Sequence, residues 1–122
     1  MKIMLVDDDR TMRAILKTLL ELENYQIAVW NGQHDSDILT QIREEKPKIL
    51  ILDVYMRDIN GIDILRAVRA DSDLNSVHVV MTSGMPLEDE CIAGGADAFL
   101  LKPYMPDDLI QLLRKVVAEP PV

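Results

Sequence analysis

Five short runs, apolar on successive residues, constrain this chain most: "KIMLV" (2–6), "QIAVW" (26–30), "KILIL" (48–52), "VHVVM" (77–81) and "DAFLL" (97–101). Each reads as a β-strand. A strand with one wet face alternates apolar and polar residues, so runs without alternation demand cover on both faces, as in a parallel sheet packed between helices. The segments between the runs supply that cover. Met12, Ile15, Leu16, Leu19 and Leu20 recur at helical spacing, as do Leu109, Leu112, Leu113 and Val116. Shorter stripes run through Ile38, Leu39 and Ile42 and through Ile64, Leu65 and Val68. Strand followed by helix, five times over, is the pattern of an α/β fold: a single doubly wound domain with helices on both faces of the sheet.

Local signals set the boundaries. Asp9 can cap the first helix and Asp35 or Ser36 the second, and Trp30 reads as remote from the strand ends that matter below. Pro106 followed by Asp107 and Asp108 places a preset φ and negative charge on the first turn of the last helix, which "PPV" then stops. With 122 residues, 48% of them hydrophobic, one core is expected: a domain over 1–118, with 119–122 a C-terminal tail or the start of a linker. The net charge of −8 would repel a phosphate backbone, so no direct nucleic-acid binding is expected. The lone Cys91 cannot form an internal disulfide and the first strand-like run begins at Lys2, which points to a cytoplasmic, reducing location. The longest apolar runs, such as "ILIL" (49–52), fall far short of the ~20 residues that cross a bilayer, so no membrane partner is expected.

Ligands of open parallel sheets gather beyond the carboxyl ends of the strands. Here the first strand ends in Asp7, Asp8 and Asp9, the third in Asp53, the fourth in Thr82 and Ser83, and the fifth in Lys102 and Pro103. Three adjacent carboxylates repel one another and call for a cation. Carboxylates from neighbouring strands are hard oxygen donors of the kind that hold octahedral Mg²⁺. Taken singly, each residue has a plainer reading: Asp9 as helix cap, Thr82 as a strand-end hydroxyl bonded to backbone, Lys102 as a solvated charge. Their coincidence at successive strand ends favours a site.

The segments "MLVDDDRTMRAIL", "ILILDVYMRDINGIDIL", "VVMTSG" and "ADAFLLKPY" resemble, in order and over nearly the whole chain, the signatures of the response-regulator receiver domain, the CheY-like phosphoacceptor of two-component signalling. That resemblance implies a flavodoxin-like fold with a five-stranded parallel sheet of order 2-1-3-4-5. It implies that Asp53 accepts a phosphoryl group from a sensor histidine kinase or histidine phosphotransfer protein. Mg²⁺ (or Mn²⁺) would be held by Asp8, Asp53 and the backbone carbonyl of Tyr55, with Asp7 acting through water. Lys102 and Thr82 would contact phosphoryl oxygens, supported by Ser83 and by a cis bond before Pro103. Phe99 would turn inward on phosphorylation and reshape the face of the fourth helix, fifth strand and fifth helix. The protein would then be a phosphoacceptor that catalyses its own phosphotransfer from the donor and loses the phosphoryl group slowly by autodephosphorylation, and not an enzyme. It would act on an output protein or a fused output domain, with homodimer formation on phosphorylation among the arrangements allowed.

Some positions depart from the family pattern. Arg57 stands where proline is usual, which predicts a less rigid loop after Asp53, although Gly61 is in place. Tyr55 is bulky and Gly84 minimal at positions that influence the phosphoryl lifetime. The stretch "LEDECIA", between Pro86 and Gly94-Gly95, predicts a fourth helix of about two turns. Such a short helix would shift partner contacts toward the fifth helix and the Phe99 strand. "GQHDS" (32–36) predicts a longer loop, and His34 lacks a ligand partner and reads as a surface residue. Three other readings fit less well. A haloacid-dehalogenase-like phosphatase needs a second Asp where Tyr55 stands, and a flavodoxin-like cofactor carrier needs a phosphate loop where "DDDRTM" would repel phosphate. A degenerate receiver used as a phosphorylation-independent interaction module would normally have lost Asp53, Lys102 or the acidic pair.

Overall fold

A computed structural model describes residues 1–30 and 38–118. The expected caps Asp35 and Ser36, the 32–36 loop and His34 lie outside the described residues, as do 119–122. The strands are β1 (Lys2–Val6), β2 (Gln26–Val29), β3 (Ile49–Asp53), β4 (Tyr55–Met56), β5 (Ile59–Asn60), β6 (His78–Ser83) and β7 (Ala98–Leu101). The helices are α1 (Arg10–Leu22), α2 (Ile38–Glu45), α3 (Gly61–Ala70), α4 (Glu88–Ala93) and α5 (Pro106–Ala118). Five strands form one sheet in the order β2-β1-β3-β6-β7, every pair parallel. Counted among sheet strands alone, this is the expected order 2-1-3-4-5.

Pleating sorts the side chains of each strand to two cores. Ile3, Leu5, Ile49, Ile51 and Val80 meet Leu16 and Leu20 of α1 and Leu109, Leu113 and Val116 of α5. Met4, Val6, Leu50, Leu52, Val79 and Met81 meet Ile42 of α2, Leu65 and Val68 of α3 and Cys91 of α4. β3 is buried along its whole length, whereas the edge strands β2 and β7 are only half-buried. Full cover thus belongs to the central strands. The α1 stripe also needs correcting: Leu16 and Leu20 are core, but Ile15 is 46% exposed, because the helix presents one narrow face to the sheet.

The helix ends follow local chemistry. Asp9 caps α1 by accepting from the Met12 N–H at 3.0 Å. Asn60 caps α3 through the Ile62 N–H at 2.9 Å. Pro106, Asp107 and Asp108 do open α5, with the Asp108 carboxylate reaching back to the Met105 N–H at 3.3 Å. α4 is short, as expected, and ends at Gly94 and Gly95, the latter at φ 108 where a Cβ would meet Arg69 Cγ at 2.8 Å. Arg69 fastens that turn to α3: its guanidinium donates to the carbonyls of Gly95 (2.7 Å) and Val77 (2.6 Å) and to Asp97 (2.9 Å).

Two findings were not foreseen. The loop after Asp53 is a hairpin, β4 against β5, turned at Arg57 with φ 25; Met56 is buried in it. Gly61 closes this hairpin over the site strand, its N–H donating to Val54 O at 2.6 Å, and a Cβ there would collide with the Asp53 carbonyl oxygen. Trp30, read as remote, is buried at the carboxyl end of β2 with its N–H donating to Leu5 O at 2.9 Å, beside the strand that leads into Asp7.

Candidate functional site

Because β1, β3, β6 and β7 run parallel, their carboxyl ends open on one edge of the sheet. The register pairs Val6 with Leu52, Asp53 with Thr82 and Ser83 with Leu101. Asp7 and Lys102 therefore leave their strands on either side of Asp53 and Thr82. Asp7, Asp8 and Asp53 each present a carboxylate oxygen within 4.8 Å of the others. Asp7 and Asp53 are buried, Asp8 is half-buried, and Thr82 is 2% exposed.

The nearest cation is Lys102, whose Nζ lies 2.8 Å from Asp7 Oδ2 and 3.3 Å from Asp53 Oδ2. One ammonium does not balance three carboxylates. Burial pushes the Asp53 carboxyl up to about 6; the Lys102 charge opposes this and the Asp7 and Asp8 charges reinforce it. For Lys102, burial alone would lower the pKa, but the hydrogen bond and charge of Asp7, with those of Asp53, shift it upward overall. The cluster thus keeps excess negative charge on hard oxygen donors, and these residues suit a divalent cation. The repulsion noted in the sequence is only partly relieved by protein groups.

Asp7 is held from several sides. Its Oδ1 accepts the Asp9 N–H at 2.9 Å, and its carbonyl accepts Arg13 Nη1 at 2.6 Å. Ser83 supports Lys102: its carbonyl accepts the Lys102 N–H at 2.8 Å, while its hydroxyl accepts the Met85 N–H at 3.0 Å and turns the chain away. The Lys102–Pro103 peptide is cis. Tyr55 follows Val54 with its side chain 54% exposed. Phe99 stands opposite Met81 on β7 and is half-buried; it lines a groove of about 220 Å³ with Ile92, Leu112 and Lys115. The structure therefore brings Asp7, Asp8, Asp53, Thr82 and Lys102 together and sets Phe99 apart from them, on the groove beside α4 and α5.

Two residues near the site were not assigned from sequence. Arg13 fixes the Asp7 backbone, and its only signal is its position one helical turn past the Asp9 cap. Tyr104 packs beside Lys102; burial, opposed by the Lys102 charge and reinforced by Asp7 and Asp53, pushes its hydroxyl up to about 12. It closes the "KPY" triplet and could have been found there.

A parallel sheet of this order, with an acidic cluster, a hydroxyl and a lysine on one edge, defines a flavodoxin-like domain whose ligand site lies at the carboxyl ends of its strands. The response regulator receiver domain model matches residues 3–114, and the chain belongs to that family of two-component signalling domains. It is 34% identical over 119 residues to the transcriptional regulatory protein CpxR of Escherichia coli, covering 95% of this chain and 49% of CpxR. It is also 34% identical over 116 residues to the DNA-binding response regulator MtrA of Mycolicibacterium smegmatis, covering 93% and 49%. The chain thus spans about half the length of these relatives. Among solved structures it is similar to a response regulator of Chloroflexus aurantiacus (TM-score 0.86, 25% identity, 97% of this chain and 98% of that one). Another is the chemotaxis response regulator CheY4 of Vibrio cholerae (TM-score 0.84, 25% identity, 94% and 97%). Among the described residues, no helix is long and apolar enough to cross a membrane.

Proposed function

We propose that Asp53 is the phosphoacceptor of this receiver domain and that its phosphorylation is the switching event. The observation that carries the proposal is a buried Asp53 carboxylate flanked by Asp7, Asp8 and Lys102, with Thr82 in register beside it. An Asp53 oxygen would attack the phosphorus of a phosphohistidine on a histidine kinase or phosphotransfer protein. The O–P bond forms as the P–N bond breaks, and the imidazole departs with the electron pair and takes up a proton from water. Lys102, already 3.3 Å from Asp53 Oδ2, is within reach of a transferred phosphoryl oxygen, and the Thr82 hydroxyl can donate to another.

Asp8, Asp53 and the Tyr55 carbonyl would hold Mg²⁺ or Mn²⁺, with Asp7 acting through water; the carboxylates of Asp7, Asp8 and Asp53 already gather there. Bound there, the cation supplies charge neutralisation at the phosphoryl oxygens. Asp7, anchored by the Asp9 N–H and by Arg13, serves as a fixed acceptor at the rim of the site. Thr82 drawn toward the phosphoryl group would let Phe99 turn inward and remodel the groove between α4, β7 and α5, biasing a two-state element by a local charge. With α4 of only six residues, β7 and α5 would carry more of the partner contact. The unit that switches is taken as 1–118, cytoplasmic, acting on an output protein or fused output domain and pairing with a second copy where the output requires it. CpxR and MtrA are named as a transcriptional and a DNA-binding regulator. For this acidic domain we infer that any such contact lies in chain beyond it.

Trp30, packed beside the strand leading to Asp7, provides the test. Beryllofluoride with Mg²⁺ is expected to change its emission and to shift the amide resonances of Thr82, Phe99 and Lys102. Binding of beryllofluoride in the Asp53→Ala variant, or resonances at Phe99 that stay fixed in the wild type, would contradict the assignment.

A further inference from the structure

The opposite edge of the sheet carries a second concave site. A cleft of about 590 Å³ opens between the end of α2, the start of β3 and the turn that leads into β6. Clefts of this size are in the range that holds small organic ligands. Its floor is apolar, with Leu74 and Val77 buried, and its walls carry Arg43, Lys46, Lys48 and His78. Asp73 stands at the rim, and Arg43 is engaged by Asp71 at 2.6 Å. Lys46 and Lys48 make no ion pair with any of the described residues, in a chain whose acidic groups outnumber its basic ones by 21 to 13.

A plainer reading covers part of this. Basic residues near a helix C-terminus complement its dipole, which accounts for Arg43 and for a charge at Lys46. It does not account for Lys48, or for the backbone of Lys46, which sits at φ 50 in the left-handed position after α2 where glycine is favoured. A side chain kept at an unfavourable backbone position points to a use for that side chain. The acidic cluster lies at the far end of the strands, roughly 17–20 Å away. That is about two screening lengths at physiological salt, so its field does not cancel the two lysines.

We propose that this cleft binds a small organic anion, a phosphate or carboxylate on an apolar body, with Lys46 and Lys48 on the anionic group and Leu74 and Val77 under the body. The site is independent of Asp53 and of the phosphoacceptor reading. The test is ¹⁵N–¹H NMR titration of the full chain without Mg²⁺, using phenyl phosphate, with inorganic phosphate and phenol as the separated halves. Saturable shifts confined to residues 43–48 and 73–78 are expected with phenyl phosphate, at concentrations at least tenfold below those needed for either half. Lys46→Gly with Lys48→Ala should weaken binding tenfold or more, while Lys46→Gly alone should raise the thermal midpoint because it relieves the left-handed backbone. A folded double variant that binds phenyl phosphate as wild type does would overturn the proposal. So would shifts that do not saturate, shifts centred on Asp53, or inorganic phosphate binding as tightly as the phenyl ester.

Discussion

At the carboxyl edge of the sheet the ionisable groups are buried and coupled: Asp7, Asp53 and Lys102 lie within 3.3 Å of one another through the lysine, and burial has moved Asp53 up to about 6. At the amino edge Lys46 and Lys48 are exposed and unpaired among the described residues. Both edges belong to the same strands, so the difference comes from what covers them. The β4–β5 hairpin, closed by Gly61, and the arm running through Lys102 to Tyr104 flank the acidic edge, and among the described residues nothing comparable closes over the lysines of the cleft. Low effective dielectric makes each charge matter more at that buried edge. The same substitution should therefore have very different consequences at the two edges.

The largest contrast is expected between two lysines. Lys102→Met leaves Asp7 and Asp53 buried without their cation and should destabilise the metal-free protein by roughly 2–4 kcal/mol at neutral pH. Lys48→Met, at the exposed edge, should change stability by less than about 0.5 kcal/mol. Urea unfolding of both variants without Mg²⁺ checks this, and equal effects would break the comparison.

A second effect is set by pH. The folded pKa of Asp53, about 6, lies above its ordinary value of 3.8, so the folded state holds the proton more tightly than the unfolded chain. Stability from this group is complete below about pH 4 and is lost as pH rises through about 6. At pH 7.5 the ionised group costs up to roughly 3 kcal/mol, so Asp53→Asn should stabilise the metal-free protein by about 1–3 kcal/mol there and by much less at pH 4. Mg²⁺ should stabilise the wild type and not the variant. Unfolding curves at the two pH values decide it; a destabilised Asp53→Asn at pH 7.5 would contradict the strained cluster.

The smallest effect concerns the hairpin beside the acidic edge. Arg57 turns the β4–β5 hairpin at φ 25, where glycine fits and proline, held near −65°, does not. Arg57→Gly should stabilise by about 0.5–1 kcal/mol, and Arg57→Pro should destabilise by at least that much. The proline usual in this family would thus be wrong for this chain's hairpin, and a neutral Arg57→Pro would show that the turn is not fixed as described.

Periodicity made the five sheet strands and their helices legible because burial on both faces leaves a continuous apolar run, as in β3. The edge strands β2 and β7 carry the same signature but are half-buried, since sequence does not reveal which strands end a sheet. The site was legible for a similar reason: parallel strands deliver their last residues to one edge, so Asp7, Asp53, Thr82 and Lys102 could be listed in advance. The hairpin at 55–60 could not, because its two-residue strands are too short for any period and its turn uses an arginine where glycine or asparagine would signal it. Arg13 escaped because its contact is to a backbone carbonyl, which no side-chain pattern encodes. Lys46 escaped because a left-handed φ on a lysine has no sequence signature.

The central claim is that Asp53 takes the phosphoryl group. The most direct measurement is intact mass, with peptide mapping, after incubation with acetyl phosphate and Mg²⁺, alongside Asp53→Asn and a sample without Mg²⁺. One added phosphoryl group per chain, mapped to the peptide holding Asp53 and absent from the variant and the Mg²⁺-free sample, is the predicted result. An unmodified wild type, or a phosphoryl group that persists in Asp53→Asn, would contradict it.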